Sequence, residues 1–393
     1  MGTNENEVIS MTDKTPGGPI YLDHNATTPI DPVAVEAMMP YLKGEFGNPS
    51  NGYPLGKRAK EGVEQARREV AGLLGCQLGE IIFTSGGSES NNMVLKGLIN
   101  FADLAEFHII TSAIEHPAIL NPALFLMELG VKVTILSVDR LGQVDPEDVR
   151  KAISSRTTLI TLMLANNETG ALQPIREISQ IARDHNVLFH TDAAQAVGKI
   201  EVDVNDLGVD FLSVAGHKLY GPKGVGVLYM RNGCSLTPLI HGAAQENGMR
   251  AGTENVVLVA GLGAACRVAK VRLEEDFKRN CLLRNRLQEL LSEGINGLVL
   301  NGHGEKRLPN TLNVSVPGLE GGKILDGLPT IMASTGAACH DRTIKLSHVL
   351  SAMSVSPEVG MGALRLTLGR SNTMEQIEEA ARLIIEQVKR MRG

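Results

Sequence analysis

No stretch of the 393 residues is apolar and long enough to cross a bilayer as a helix. The start of the chain carries no basic, apolar, small-residue series of the kind that marks a signal peptide. The expectation is therefore a cytoplasmic protein with no membrane partner. Positive charge is in deficit too. There are 38 Lys and Arg against 44 Asp and Glu, a net charge of -6, and this excludes a dominant nucleic-acid partner, which would want a basic face. The five cysteines, Cys76, Cys234, Cys266, Cys281 and Cys339, are scattered and odd in number, with no C-x-x-C pair. They make neither a disulfide framework nor a zinc site, which leaves a free thiol available for chemistry and no metal expected. There is no internal repeat. The first eighteen residues, ending in "TPGGP", are polar and read as a flexible tail, with Met11 as a possible natural start.

What is present is an ordinary globular composition, 43% hydrophobic and 21% charged, in a chain long enough for two domains or one elaborated one. Short β-branched runs at 81–84, 107–111, 131–138, 158–164, 187–191, 211–214 and 225–230 read as strands. Helical patterns such as 63–74 and 175–185 lie between several of them. The alternation predicts an α/β fold with a mostly parallel sheet covered on both faces, which places ligands at the carboxyl ends of its strands. After about residue 261 the texture changes to a long helix (262–291), the short strands of "TLNVSVPG" and "ALRLTLG", and a terminal helix (374–391). We expect a tail over 1–18, a large domain over 19–262 whose first residues pack on the small one, and a small α+β domain over 263–393.

Four clusters stand out. In "FTSGGSESNN" a strand runs into small residues and then a helix, aiming free N–H groups and a positive helix end at whatever lies above. The competing reading is an ordinary N-cap at Ser88 with Glu89 in the first turn. In "HTDAAQAVGK", Asp192 ends another strand, where it can either cap the next helix or face a heterocyclic nitrogen that must stay protonated. In "VAGHKLYGPKGVG", Lys218 comes after His217 at a third strand end, an amine able to form a Schiff base if burial lowers its pKa. Phosphate cradle, ring-nitrogen partner and reactive lysine fit one pyridoxal phosphate site better than any fits alone. In "STGAACHDRT", small residues surround Cys339, and His340 and Arg342 beside it favour a thiolate.

Read with "YLDHNATTP", "ITSAIEHPAI", "LMLANNETG", "NGMRAGTEN" and "ALRLTLGR", these stretches resemble the NifS/IscS family of cysteine desulfurases and the related selenocysteine lyases, fold-type I pyridoxal phosphate enzymes of the class V aminotransferase group. The resemblance runs in order from about residue 20 to 370. It implies a large domain with a seven-stranded sheet and a homodimer. Lys218 would hold the cofactor, His116 stack on its ring and move protons, Asp192 pair with the ring nitrogen and Gln195 bond the phenolic oxygen. Gly87, Ser88 and His217 would hold the phosphate, with Thr253 reaching in from the other subunit. Asn167 and Arg365 would grip the substrate carboxylate, with Asn25 and Ala26 beside them, and Cys339 would be the mobile nucleophile or acid.

One position departs from the desulfurase pattern. Ala215 stands where those enzymes carry a phosphate-binding serine, which removes a hydrogen bond worth about 1 kcal/mol. That and the "GAACH" form tilt the expectation toward selenocysteine lyase. The alternatives are a housekeeping cysteine desulfurase with a sulfur-acceptor protein and, less favoured, a β-eliminating lyase or aminotransferase. A non-catalytic platform would have no use for Lys218, Asp192 and Cys339 together.

Overall fold

The computed structural model describes residues 18–336 and 346–393. A two-residue strand β1 (Ile20–Tyr21) is followed by β2 (Ile81–Thr84), β3 (His108–Ser112), β4 (Lys132–Leu136), β5 (Thr157–Thr161), β6 (Leu188–Asp192), β7 (Phe211–Ala215) and β8 (Gly226–Met230). Strands β2 to β8 form one seven-stranded sheet in the order β2-β8-β7-β6-β5-β3-β4. All its pairings are parallel except those of β8, which runs against both neighbours.

Successive side chains of a strand point to opposite faces, and the sheet sorts its apolar residues accordingly. Ile81, Phe83, Ile110, Ile160, Leu212, Val227 and Tyr229 enter one buried cluster. Their neighbours Ile82, Ile109, Leu159, Phe211 and Leu228 enter another on the opposite side. Burial on both faces explains why these strands read as unbroken apolar runs.

The run expected as a strand to residue 164 leaves the ladder after Thr161. Leu162, Met163 and Leu164 stay buried, and Leu162 and Leu164 still donate to the carbonyls of His190 and Asp192. The helix expected over 63–74 begins at Pro54, with proline in its first turn and Gly75 closing it at φ 72. Its first two turns bury only Gly56 and Ala59, so they carry no apolar period to read.

Beyond the sheet, a 39-residue helix, Val256–Gly294, contributes Val259, Leu262 and Ala265 to the sheet's core. The same helix contributes Leu283, Leu287 and Leu291 to a separate cluster. The expected domain boundary at 262 falls inside it. The second cluster is built on β9 (Val299–Leu300), β10 (Thr311–Ser315) and β12 (Ala363–Thr367), an antiparallel sheet ordered β12-β10-β9, with the helix Met374–Arg392 packed over it. Strand β11 (Ile331–Met332) pairs with β1. Ile20 and Leu22 thus belong to the second cluster, while the chain immediately after them crosses to the edge of the large sheet. Among the described residues no helix is long and apolar enough to cross a membrane.

Candidate active site

The carboxyl ends of β2, β6 and β7 lie along one edge of the sheet. At the end of β2, Gly86, at φ 151, is the N-cap of the helix Gly87–Gly97, and no side chain caps that end. Ser88 is therefore the second helical residue and not the cap. Glu89 turns away from the first turn to accept from the Ser85 N–H (2.8 Å) and to pair with Arg250 (2.9 Å). The opening N–H groups are left facing outward, the geometry that receives an anion. Two backbones meet closely here: a Cβ on Gly226 of β8 would lie 2.6 Å from the Gly86 Cα. A Cβ on Gly87 would lie 3.4 Å from that of Ala215, so position 215 faces this turn with a methyl group.

Asp192, the last residue of β6, is 7% exposed. One carboxylate oxygen accepts from Asn91 Nδ2 of the helix Gly87–Gly97 (2.7 Å) and the other from the Ala194 N–H (2.9 Å). The second bond caps a turn that does not continue into a helix. Among the described residues no cation pairs with this buried carboxylate, which suits it to a cationic N–H brought by a ligand.

Lys218 lies just beyond β7 on a single 3-10 turn, Gly216–Lys218. Residues 25–31 run beside this turn: the Thr28 N–H and hydroxyl both donate to the His217 carbonyl, and the Asp31 N–H to that of Tyr220. The Lys218 amine donates to the carbonyls of Asn25 and Ala26, both at 2.7 Å. It has no carboxylate partner among the described residues. Burial, with Arg365 adding and Asp192 and Asp23 opposing, pulls its pKa from 10.5 to about 8. The amine is thus primed for nucleophilic attack near neutral pH.

Beneath it, Gln195 (5% exposed) donates from Nε2 to the Asn25 carbonyl (2.9 Å), and its Oε1 accepts from Lys199 Nζ (2.7 Å). His116 is the N-cap of the helix Pro117–Glu128, with Nδ1 accepting from the Ala118 N–H at 3.1 Å. Its exchangeable proton therefore sits on Nε2 when the ring is neutral. Desolvation lowers the His116 pKa against the pull of Asp192, and Lys218 and His348 lower it further. His217, hydrogen-bonded through Nδ1 to the Thr27 hydroxyl (3.1 Å), is brought to about 4 by burial and nearby lysines. Next to His116, burial pushes the Glu115 carboxyl up to about 8 despite its bonds from Ser112 and the Met163 N–H.

The far wall comes from the other cluster of the fold. Arg365 of β12 pairs with Asp23 (2.7 Å) and donates to the Asn167 carbonyl (3.3 Å), while its Nε and the Asn167 Oδ1 are buried without partners. Glu168 accepts from the Ser347 hydroxyl (2.5 Å), and a Cβ on Gly336 would meet the same carboxylate oxygen at 3.0 Å. Cys339, with His340 and Arg342, lies outside the described residues. Thr253 is exposed.

The structure thus brings together Lys218, Asp192, Gln195, His217, Asn25, Ala26, Asn167 and Arg365 through direct hydrogen bonds or charge. Sequence reasoning missed Asp23, Asn91, Glu115 and Lys199. All four stand inside the motif stretches that carry the family resemblance. Only Lys199, a cation four residues after Gln195 in an otherwise small, apolar turn, carried a local signal.

An uncapped helix end for an anion, a buried carboxylate awaiting a cation, a lysine of depressed pKa, and an orphaned Nε–H on Arg365 for a carboxylate fit pyridoxal 5'-phosphate with an amino-acid substrate. On the seven-stranded sheet these features define a fold-type I pyridoxal phosphate enzyme. Comparison with known proteins agrees. The Aminotransferase class-V family matches residues 20–380. The chain is 45% identical to cysteine desulfurase IscS of Dictyoglomus turgidum over 375 residues, 95% of each chain. It is 45% identical to cysteine desulfurase IscS of Methanosarcina thermophila over 392 residues, 99% of this chain and 96% of that one. A solved NifS-like protein superposes with a TM-score of 0.89 at 36% identity, covering 94% of this chain and 99% of its own. The chain belongs to the class V aminotransferase family, and its cofactor is pyridoxal 5'-phosphate.

Proposed function

We propose that this enzyme is a cysteine desulfurase that takes the sulfur of L-cysteine, releases L-alanine and passes the sulfur on as a persulfide. The observation that carries the reading is the unpartnered Arg365 Nε–H in the same site as Lys218 and Asp192. The buried Arg365 Nε–H has no partner and can receive an α-carboxylate, while Lys218 and Asp192 stand at the sheet edge that would hold the cofactor. The names of the two relatives compared above support the same chemistry.

Gly87, Ser88 and His217 would hold the cofactor's phosphate, Asp192 its ring nitrogen, Gln195 its phenolic oxygen and His116 a ring face. When bound, pyridoxal phosphate supplies an electron sink for a carbanion at the substrate's α-carbon. Asp192 keeps a proton on the ring nitrogen, which strengthens that sink. Lys218, free as an amine, removes the α-proton. His116, holding its proton on Nε2, delivers or receives protons above the ring. Arg365 fixes the carboxylate by charge-assisted bonds, and for this the bond to Asp23 must open or be shared. At Cys339 the thiolate attacks the substrate sulfur: the carbon–sulfur bond breaks, a sulfur–sulfur bond forms, and a proton takes the sulfur's place on the β-carbon.

A selenocysteine lyase is the second reading, favoured by the methyl group of Ala215 at the phosphate turn. We place the enzyme in the cytoplasm as a homodimer, with Thr253, exposed in the single chain, completing the partner's phosphate site, and with a protein as sulfur acceptor. The test is alanine release from L-cysteine and L-selenocysteine side by side, for wild type and Cys339→Ala. Loss of the cysteine reaction in the variant is expected. Undiminished release from cysteine would overturn the role of Cys339, and pyruvate in place of alanine would overturn the reaction.

A further inference from the structure

The desulfuration chemistry has no use for Lys199, an amine 8% exposed within the site. Its Nζ donates to Gln195 Oε1 (2.7 Å) and to Asn25 Oδ1 (3.1 Å). Among the described residues it makes no ion pair, and the charges that act on it are the cations Lys218 and Arg365, while it acts in turn on the His24 ring. A buried lysine without an acid is costly if charged. A neutral amine, however, carries two hydrogens, and here two carbonyl oxygens receive them. Burial, then Lys218 and Arg365, pull the Lys199 pKa well below its ordinary value, in keeping with that state.

We propose that Lys199 is a positioning residue that locks the side-chain amides of Gln195 and Asn25 in one orientation, so that Gln195 presents its remaining N–H to the phenolic oxygen of the cofactor. An amide can flip by half a turn with little change in shape, and the environment must choose. With Nζ donating, Oε1 of Gln195 has to face Lys199, and Nε2 then faces the Asn25 carbonyl and the site. Flipped, Oε1 would meet the Asn25 carbonyl oxygen, and the amine would lose one of the two acceptors of its hydrogens. Asn25 is chosen in the same way. Its Oδ1 accepts from Lys199 and from Asn310 Nδ2 (3.1 Å), and its Nδ2 donates to the Asn167 carbonyl (3.2 Å) and the Thr311 hydroxyl (2.9 Å). The Asn25 carbonyl in turn accepts from both Gln195 and Lys218. One amine thus sets the donors around the reactive lysine and ties them, through Asn310 and Thr311, to β10.

The inference rests on the proposed cofactor placement and is tested without any amino-acid substrate. Lys199→Met, Gln195→Leu and the double variant are prepared as apo- and holoenzyme. For each, the dissociation constant of pyridoxal phosphate and the pH dependence of the visible absorbance of the Lys218-bound cofactor are measured. Lys199→Met is expected to weaken cofactor binding about fivefold, the effect of one misplaced hydrogen bond, and to shift the absorbance titration. The double variant should be no worse than Gln195→Leu alone, since the effects pass through one side chain. Lys199→Gln, which keeps a donor, should recover part of the loss and serves if the methionine variant does not fold. A lowered Tm with wild-type cofactor readings, or additive losses in the double variant, would overturn the proposal. A holoenzyme inert toward cysteine would count against the proposed reaction and leave these readings unaffected.

Discussion

At Lys218 two carbonyl oxygens 2.7 Å away hold the amine without neutralising it, and burial does the rest. With a pKa of about 8, the reactive free amine is a minority at pH 7 and a majority at pH 9. Mixing apo-protein with pyridoxal phosphate and monitoring absorbance should therefore show capture that speeds up about tenfold between these values and then levels off. A lysine at its ordinary 10.5 would still be accelerating at pH 9. This amine stood out as a candidate in the sequence because glycines and a proline crowd a cation at a strand end. Asp23 and Asn91 did not, because their partners are set by chain segments far away: Asp23 meets Arg365 across 342 positions and Asn91 meets Asp192 across 101, and nothing next to these residues announces it.

Among the elements, the turn at Gly86 depends on a strand it does not directly succeed. Gly226 in β8 leaves room for Gly86, with the Val214 carbonyl also 2.6 Å from where a Cβ would stand. Because these neighbours are backbone, they cannot give way as a side chain tip can. Gly226→Ala should destabilise the fold by about 1–3 kcal/mol, read by denaturant titration. It should also weaken cofactor retention on dialysis, since the displaced segment is the one that opens the anion site. Loss of stability with cofactor affinity intact would separate the two effects and refute the coupling. Strands were legible here because each is buried on both faces and written in β-branched residues. Their ends were less so, since the apolar run after β5 stays buried past the last ladder bond.

Over the whole molecule, ionisable groups have been drawn into the interior at several points, and they make stability depend on pH in a definable way. His190 lies fully buried between the Thr161 hydroxyl (2.8 Å) and that of Ser213 (3.0 Å), and burial drops its pKa to about 3. The unfolded chain protonates this ring near 6.5, the folded chain not until about 3. The unfolded state therefore binds the proton first, and stability is complete above 6.5 and declines as pH falls toward 3. Relative to His190→Gln, which does not titrate, wild type should lose about 1.4 kcal/mol on going from pH 7.5 to 5.5. Urea midpoints of the two proteins at both pH values check it, and parallel shifts would exclude His190. The division of the chain was legible only as a change of texture near residue 261, because a single helix serves both cores and carries no break where one gives way to the other.

The crossing of residues 22–28 from the second cluster to the sheet edge also bears on synthesis. A growing polypeptide halted after Asn310 would already own Asp192, Lys218 and the carbonyls that hold it, yet would lack β12 and with it Arg365 and Thr367, the residue that anchors the Asn25 N–H. Folding in the order of translation can therefore prepare the vitamin-binding side early. The amino-acid side is completed only when some of the last residues made return to meet some of the first.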